Sequence, residues 1–262
     1  MSRWTFWVIM PLMKQIWILC LLLLTLGCSY RNPLQDFRLQ TQMTPPYVLS
    51  SWHRISEYGE SIRIYIEGDV DSLEKDGTLA VNPTPKSDLW RQVAAKDPAK
   101  NVAYLAEPCQ YVQVGCSTKD WGSARFSQKA VDSMAAAVLA LMKKAGAKQA
   151  VLIGYAGGAQ LAGLIALKHP DKISQVITVA GIWDYQAWAK QQGMNELKDS
   201  VNLTEWRKKR ENINQLHFVG EKDTVVPFEL ARTWTDKIVL VKGATHAKGY
   251  SKIYPKIYGE EQ

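Results

Sequence analysis

The stretch Gln149-Ala150-Val151-Leu152-Ile153-Gly154-Tyr155-Ala156-Gly157-Gly158-Ala159-Gln160-Leu161-Ala162-Gly163 decides how this chain is read. Its first half is a short apolar run, as found in strands buried on both faces of a parallel sheet. Its second half is rich in small residues and continues to His169, just before Pro170, which predicts a helix over Gly158–His169. Between the two, strand must become helix within five residues. Glycines at 154, 157 and 158 suit a turn so sharp that the two backbones nearly collide, with Ala156 at its centre held in a strained conformation.

Outward from this turn, strand and helix patterns alternate along the chain. Ser61–Glu67 alternates strictly and ends at Gly68-Asp69, so it reads as a strand; Asn101–Ala106 reads as another, stopped by Pro108. Phe126–Ala145 is an amphipathic helix opened by Ser127 and closed by Gly146. Ser174–Ala180, Gln215–Val219 and Lys237–Val241 are further strands. This order predicts an α/β fold, a mostly parallel twisted sheet with helices on both faces. No internal repeat or low-complexity tract interrupts it.

The turn at 154–158 is the strand–turn–helix setting of a nucleophile elbow, G-x-S-x-G, with alanine in the serine's place. By itself the pentapeptide also suits a generic glycine-rich β-to-α turn. Downstream, His217–Val219 delivers Asp223 into a loop, and Gly243-Ala244-Thr245-His246 follows the last predicted strand. Singly, Asp223 suits a turn cap and His246 a surface position. Together they give the chain order nucleophile position, acid, histidine, in which the acid orients the histidine and the histidine accepts the nucleophile's proton.

Residues about 50–250 resemble the serine hydrolases of the α/β-hydrolase superfamily, and most of all a group of secreted bacterial proteins of that kind. The resemblance rests on Tyr65-Ile66-Glu67-Gly68-Asp69 after a strand, Asn101–Ala106, Pro108–Tyr111 and Gly154–Gly158. It implies the α/β-hydrolase fold, ester or acyl hydrolysis as the ancestral activity, and an oxyanion hole formed by the Gly68-Asp69 turn and Gly157. It implies no metal and no organic cofactor. Val70 departs from the glycine usual in that turn. Ala156 departs more seriously, because a methyl group cannot attack an acyl carbon. Neither Ser127 nor Ser174 can stand in, since the turn itself sets the geometry. Alanine native to a relative that has lost catalysis, alanine put in place of an original serine, and direct activation of water by Asp223 and His246 are all compatible with the sequence. Two functions follow: an impaired hydrolase, or a protein that uses the scaffold to bind a ligand or partner without turnover.

The 262 residues are 47% apolar and 22% charged, which excludes a disordered chain, a coiled coil and a disulfide mini-protein. The net charge is +7. Residues 1–27 contribute Arg3 and Lys14 and no acid, so the remainder is only mildly basic. Arg207-Lys208-Lys209-Arg210 reads as a solvated helix face, and nothing points to nucleic acid.

Ile16–Leu26 is apolar, follows Lys14 and precedes Gly27-Cys28, as in a secretory signal peptide over 1–27. The run is short for a membrane span, although the apolar Trp4–Met10 leaves an uncleaved anchor open. Leu24-Thr25-Leu26-Gly27-Cys28 resembles the lipobox of bacterial lipoproteins, with Thr25 as a departure. The resemblance implies acylation of Cys28, attachment to the cell envelope, and, with Ser29 following, the outer membrane. A polar tether over 28–46 and a hydrolase-like domain over 47–262 complete the expected organisation. Cys109 and Cys116, seven positions apart in an oxidising compartment, are expected to pair. The segment 181–214, with Trp183, Tyr185, Trp188 and Trp206, is placed where this fold holds a lid; helices packing those rings on the core are the other reading. The partners expected are a small acyl or ester ligand and, through the lipid, the membrane.

Overall fold

Alternation along Ile62–Ile66 (β3) parts its side chains between two cores. Ile62, Ile64 and Ile66 enter one, Tyr65 the other. Ala150–Tyr155 (β5) does the same, with Ala150 and Leu152 on the first side and Ile153 on the second. A strand buried on both faces needs helices on both sides of its sheet. The computed structural model, which describes residues 32–68, 78–194, 197–206 and 213–259, has that architecture. Residues 1–27, Cys28, Asp69, Val70 and Arg207–Arg210 lie outside the described residues.

Eight strands form one sheet: Arg38–Thr44 (β1), Tyr47–Ile55 (β2), β3, Asn101–Leu105 (β4), β5, Ile173–Val179 (β6), Gln215–Gly220 (β7) and Ile238–Val241 (β8). Their spatial order is β1-β2-β4-β3-β5-β6-β7-β8. β1 pairs antiparallel with β2 and β2 antiparallel with β4, and every later pairing is parallel. Gln128–Ala145 (α2) and Gly158–Lys168 (α3) cover the face that holds Ile64 and Leu152. Leu89–Lys96 (α1) and Tyr254–Tyr258 (α6) cover the other, where Tyr65, Tyr104 and Ile153 lie. Two further short helices, Tyr185–Gln191 (α4) and Phe228–Ala231 (α5), lie among the described residues.

α2 begins where Ser127 accepts a hydrogen bond from the Ala130 N–H and ends at Gly146, whose φ of 65° is left-handed. These are the start and stop read from the sequence.

The sheet starts inside the stretch expected to be tether. β1 occupies Arg38–Thr44, and Pro45-Pro46 forms its turn into β2. Its polarity is inverted, which hid it. Leu39 and Met43 point to solvent, while Gln42 and Thr44 are buried. Gln42 Nε2 donates to Ser51 Oγ at 3.0 Å, and Ser133 Oγ donates to Thr44 O at 2.7 Å, so both inward side chains are tied to neighbouring elements.

Candidate functional site

The C-terminal ends of the parallel strands, where ligands bind in open α/β sheets, bring four sequence-distant segments together. The first is the elbow. Ala156 has φ 46°, in the left-handed region, and is buried. Its N–H donates to Val179 O at 3.1 Å, and its carbonyl accepts from the N–H groups of Ala159 (3.2 Å) and Ile182 (3.0 Å). The turn is therefore clamped to the end of β6 as well as to α3. A Cβ at Gly154 would lie 2.5 Å from Gly158 O, and one at Gly158 would lie 2.4 Å from Glu67 O. Only glycine fits either position, because what it meets is backbone.

The second and third segments meet at Asp223 and His246. Asp223 follows β7, with its side chain wholly buried. Oδ1 accepts from the N–H groups of Val225 (2.9 Å) and Val226 (2.8 Å), while Oδ2 faces His246 Nδ1 at 3.0 Å. A carboxylate only accepts, so Nδ1 is the nitrogen that donates to Asp223, which leaves Nε2 as the one turned to other partners. The two loops are tied together by Lys222 N–H to Ala244 O (2.8 Å) and by Gly243 N–H to the Glu221 carboxylate (2.8 Å). Tyr155, beside Ala156, donates through its hydroxyl to His246 O at 3.2 Å, and the two rings lie 5.7 Å apart. Elbow and histidine loop are thus joined directly.

The fourth segment is the turn after β3. A Cβ at Gly68 would lie 3.0 Å from the Ala156 methyl and 2.7 Å from Tyr155 O, so this turn abuts the elbow. The Gly68 N–H, however, donates to Glu67 Oε1 at 3.0 Å. In this structure that N–H is engaged by the neighbouring carboxylate. Asp69 lies outside the described residues, and Gly157 follows Ala156 as the N-cap of α3.

Two supports of the turn escaped the sequence reading, although both stand in quoted motifs. Gln110, buried, donates from Nε2 to Gly68 O at 3.0 Å and accepts the Glu107 N–H at 2.9 Å. It sits in the loop closed by the Cys109–Cys116 disulfide, whose Cα atoms are 5.9 Å apart. Glu67, buried, also accepts a hydrogen bond from the Tyr104 hydroxyl. Glu107 is buried nearby, and burial, then the Glu67 charge, pushes its carboxyl well above the usual carboxylate range.

Within 181–214, Trp183, Tyr185 and Trp188 are buried in the core. Trp188 Nε1 donates to Val225 O at 2.9 Å, and the Tyr185 hydroxyl donates to Ser200 O at 2.8 Å. These rings pack inward, while the side chain of Trp206 lies outside the described set. The cavity beside the elbow is lined by other residues, among them Glu67, Trp90, Tyr155 and Tyr254.

Fold and site geometry define the class: this is a protein of the α/β-hydrolase fold. A family model described as alpha/beta hydrolase fold matches residues 110–237. Similar solved structures include Est1E from Butyrivibrio proteoclasticus, at 14% identity and a TM-score of 0.61, covering 85% of this chain and 95% of that one. The Pyrococcus furiosus esterase PF2001 is similar at 14% identity and TM-score 0.61, covering 90% and 92%. XC6422 from Xanthomonas campestris, described as a serine hydrolase without lid, is similar at 11% identity and TM-score 0.54, covering 86% and 91%. Comparison with curated proteins gives no significant match.

Proposed function

We propose that this chain is an envelope lipoprotein, anchored through Cys28 and facing the periplasm, that keeps a serine-hydrolase site without its nucleophile and holds an acyl or ester ligand without turning it over. The observation that carries this reading is the pairing of an alanine at φ 46° in a clamped elbow with an Asp223–His246 hydrogen bond of 3.0 Å. A left-handed non-glycine residue costs about 1–3 kcal/mol, and a buried aspartate aimed at a histidine is the arrangement that orients an imidazole as a base. Both persist although a methyl group stands where the attacking oxygen would be.

In the ancestral chemistry, Nε2 of His246 takes the hydroxyl proton of a serine at 156 as its oxygen bonds to the acyl carbon. The imidazolium then returns that proton to the leaving alcohol. Backbone N–H groups of the elbow and the turn after β3 hold the oxyanion. With Ala156 the first bond cannot form, and the rest of the site remains as a binding surface.

The test is hydrolysis of short and medium acyl p-nitrophenyl esters by the full chain, by Ala156→Ser and by Ala156→Ser/His246→Ala. The reading expects turnover only in the serine variant. If Ala156→Ser is as inert as the parent, the hydrolase reading falls. Metabolic labelling with palmitate, present in the parent and absent in Cys28→Ala, tests the anchor separately.

A further inference from the structure

At the β1 edge of the sheet lies a cavity of about 380 Å³, lined by Asp36, Arg38, His53, Arg54, Ile55 and Lys144. We infer that this cavity binds a phosphate group, held between the Arg38 guanidinium and the Lys144 ammonium beside the buried imidazole of His53. None of these residues belongs to the elbow site, so the cavity is a second, separate one.

Strand register brings the three groups together. Arg38 and His53 are direct partners in the β1–β2 pairing, so their side chains leave the sheet on the same face, with Cβ atoms about 4.5–5.5 Å apart. Thr44, six positions after Arg38, shares that face, and its Oγ1 accepts from Ser133 Oγ of α2 at 2.7 Å. α2 therefore lies over this side of the hairpin. Eleven residues of helix from Ser133 to Lys144 rise about 17 Å, and six of strand from Thr44 back to Arg38 span about 20 Å. The last turn of α2 thus delivers Lys144 to the Arg38–His53 pair.

Charge sets the sign of the ligand. The lining holds three cations, Arg38, Arg54 and Lys144, against the single carboxylate of Asp36. Arg54 is occupied: Nη1 donates to Ala95 O at 2.9 Å and Nη2 to Ala99 O at 3.1 Å, so it contributes charge rather than a contact. Arg38 and Lys144 are exposed and make no ion pair among the described residues. His53 is buried, and its Nδ1 has no hydrogen-bond partner among the described residues. Burial, then the Lys144 charge, then the Arg38 charge, lowers its pKa, so both cations act on one ring that is neutral at neutral pH. An anion relieves this crowding of positive charge. A phosphate does so best, since it offers oxygens to the planar arginine fork and to the lysine ammonium at once. Asp36 follows Cys28 by eight positions, at most about 29 Å of chain, so an anchor at Cys28 as proposed brings the cavity within reach of phosphodiester headgroups.

The test titrates three probes into the full chain in nonionic detergent, at constant ionic strength set by sodium chloride so that screening is equal throughout. They are inorganic phosphate, glycerophosphoglycerol (the deacylated headgroup of phosphatidylglycerol) and acetate. NMR follows the His53 imidazole, whose signal is assigned by its loss in His53→Gln. At least one of the two phosphates should saturate, acetate should not, and His53 should titrate at higher pH once phosphate is bound. Arg38→Gln and Lys144→Gln change exposed side chains, leave the fold intact, and should each weaken binding about tenfold. Lys237→Gln, the same change of charge just before β8 at the opposite edge of the sheet, should alter nothing. Tighter binding of glycerophosphoglycerol assigns the cavity to a lipid headgroup, and tighter binding of inorganic phosphate assigns it to a free phosphate. Saturation by neither, equal binding of acetate, an unmoved His53, or an equal loss in Lys237→Gln would each overturn the inference. The ester assay on Ala156→Ser reads the other site, so either result can fail while the other stands.

Discussion

Oδ2 of Asp223 stands 3.0 Å from Nδ1 of His246 across 23 positions of chain, while Oδ1 of the same carboxylate caps the N–H groups of Val225 and Val226. One buried side chain thus fixes both its own loop and the imidazole. The two duties can be separated by substitution. In the Ala156→Ser background, Asp223→Asn keeps an oxygen for the two N–H groups but turns an amide N–H toward Nδ1, which favours the wrong tautomer. Ester turnover should fall about 10³–10⁴-fold, with the thermal midpoint nearly unchanged. A loss of only a few-fold would mean that the Tyr155–His246 contact, and not the aspartate, orients the ring.

The elbow makes a sharper steric demand. Gly158→Ala places a methyl 2.4 Å from Glu67 O and 2.7 Å from Ile66 O, both backbone atoms that cannot swing away. The expected cost is about 3 kcal/mol, at the upper end of overpacking penalties. Gly193 gives the contrast. Its φ of 66° is also left-handed but nothing lies within 4 Å, so Gly193→Ala should cost only the conformational strain of about 1 kcal/mol. Urea unfolding of the two variants at equal m-value measures the difference.

This contrast shows what was legible in the sequence. Gly154, Gly158, Asp223 and His246 stand in patterns set by backbone geometry and chain order, and such constraints survive in a single sequence. The parallel strands were legible for the same reason, since β-strands buried on both faces read as apolar runs. β1 was not, because Gln42 and Thr44 point inward and Met43 outward, and the Ser51 and Ser133 partners that permit this lie on other elements. Gln110 was likewise hidden. Its role depends on reaching Gly68 O, 42 positions away, which no local pattern encodes. Trp183 and Trp188 could equally have faced a pocket or the core, and only the surrounding packing decides that.

The Cys109–Cys116 bridge holds the loop that carries Gln110, and with it one side of the turn after β3. Cys109 and Tyr111 both have left-handed φ, 73° and 65°, so the loop is costly to form without a constraint. Closing a loop this short is worth about 2–3 kcal/mol in the chain-entropy account. The variant Cys109→Ala/Cys116→Ala should lose that much in urea unfolding, and reductant should bring the parent down to the same level while leaving the variant unmoved. Equal stability of parent and variant would show that the loop is held by Gln110 and Tyr111 alone.

Glu107 ties stability to pH. Its Oε1 has no hydrogen-bond partner among the described residues, and burial, then the Glu67 charge, raises its folded-state pKa well above the roughly 4.3 of an unfolded glutamate. Between these two values the folded chain binds more protons than the unfolded one, so this group makes stability fall as pH rises, by up to about 1.4 kcal/mol per unit. Asp120 acts oppositely and elsewhere. Burial alone would push it up, but hydrogen bonds from Lys129, Tyr47 and Ser117 outweigh burial and hold it at about 2, so its contribution is present above pH 4 and lost only as pH falls from about 4 toward 2. Glu107→Gln removes the proton uptake while keeping the shape. Urea midpoints of parent and variant should nearly coincide at pH 4 and separate progressively through pH 6 and 8, with the variant the more stable. Taking the difference at each pH cancels His53, whose pKa burial lowers in both proteins. If the parent proves the more stable at pH 8, Glu107 is ionised against a cation in the folded protein.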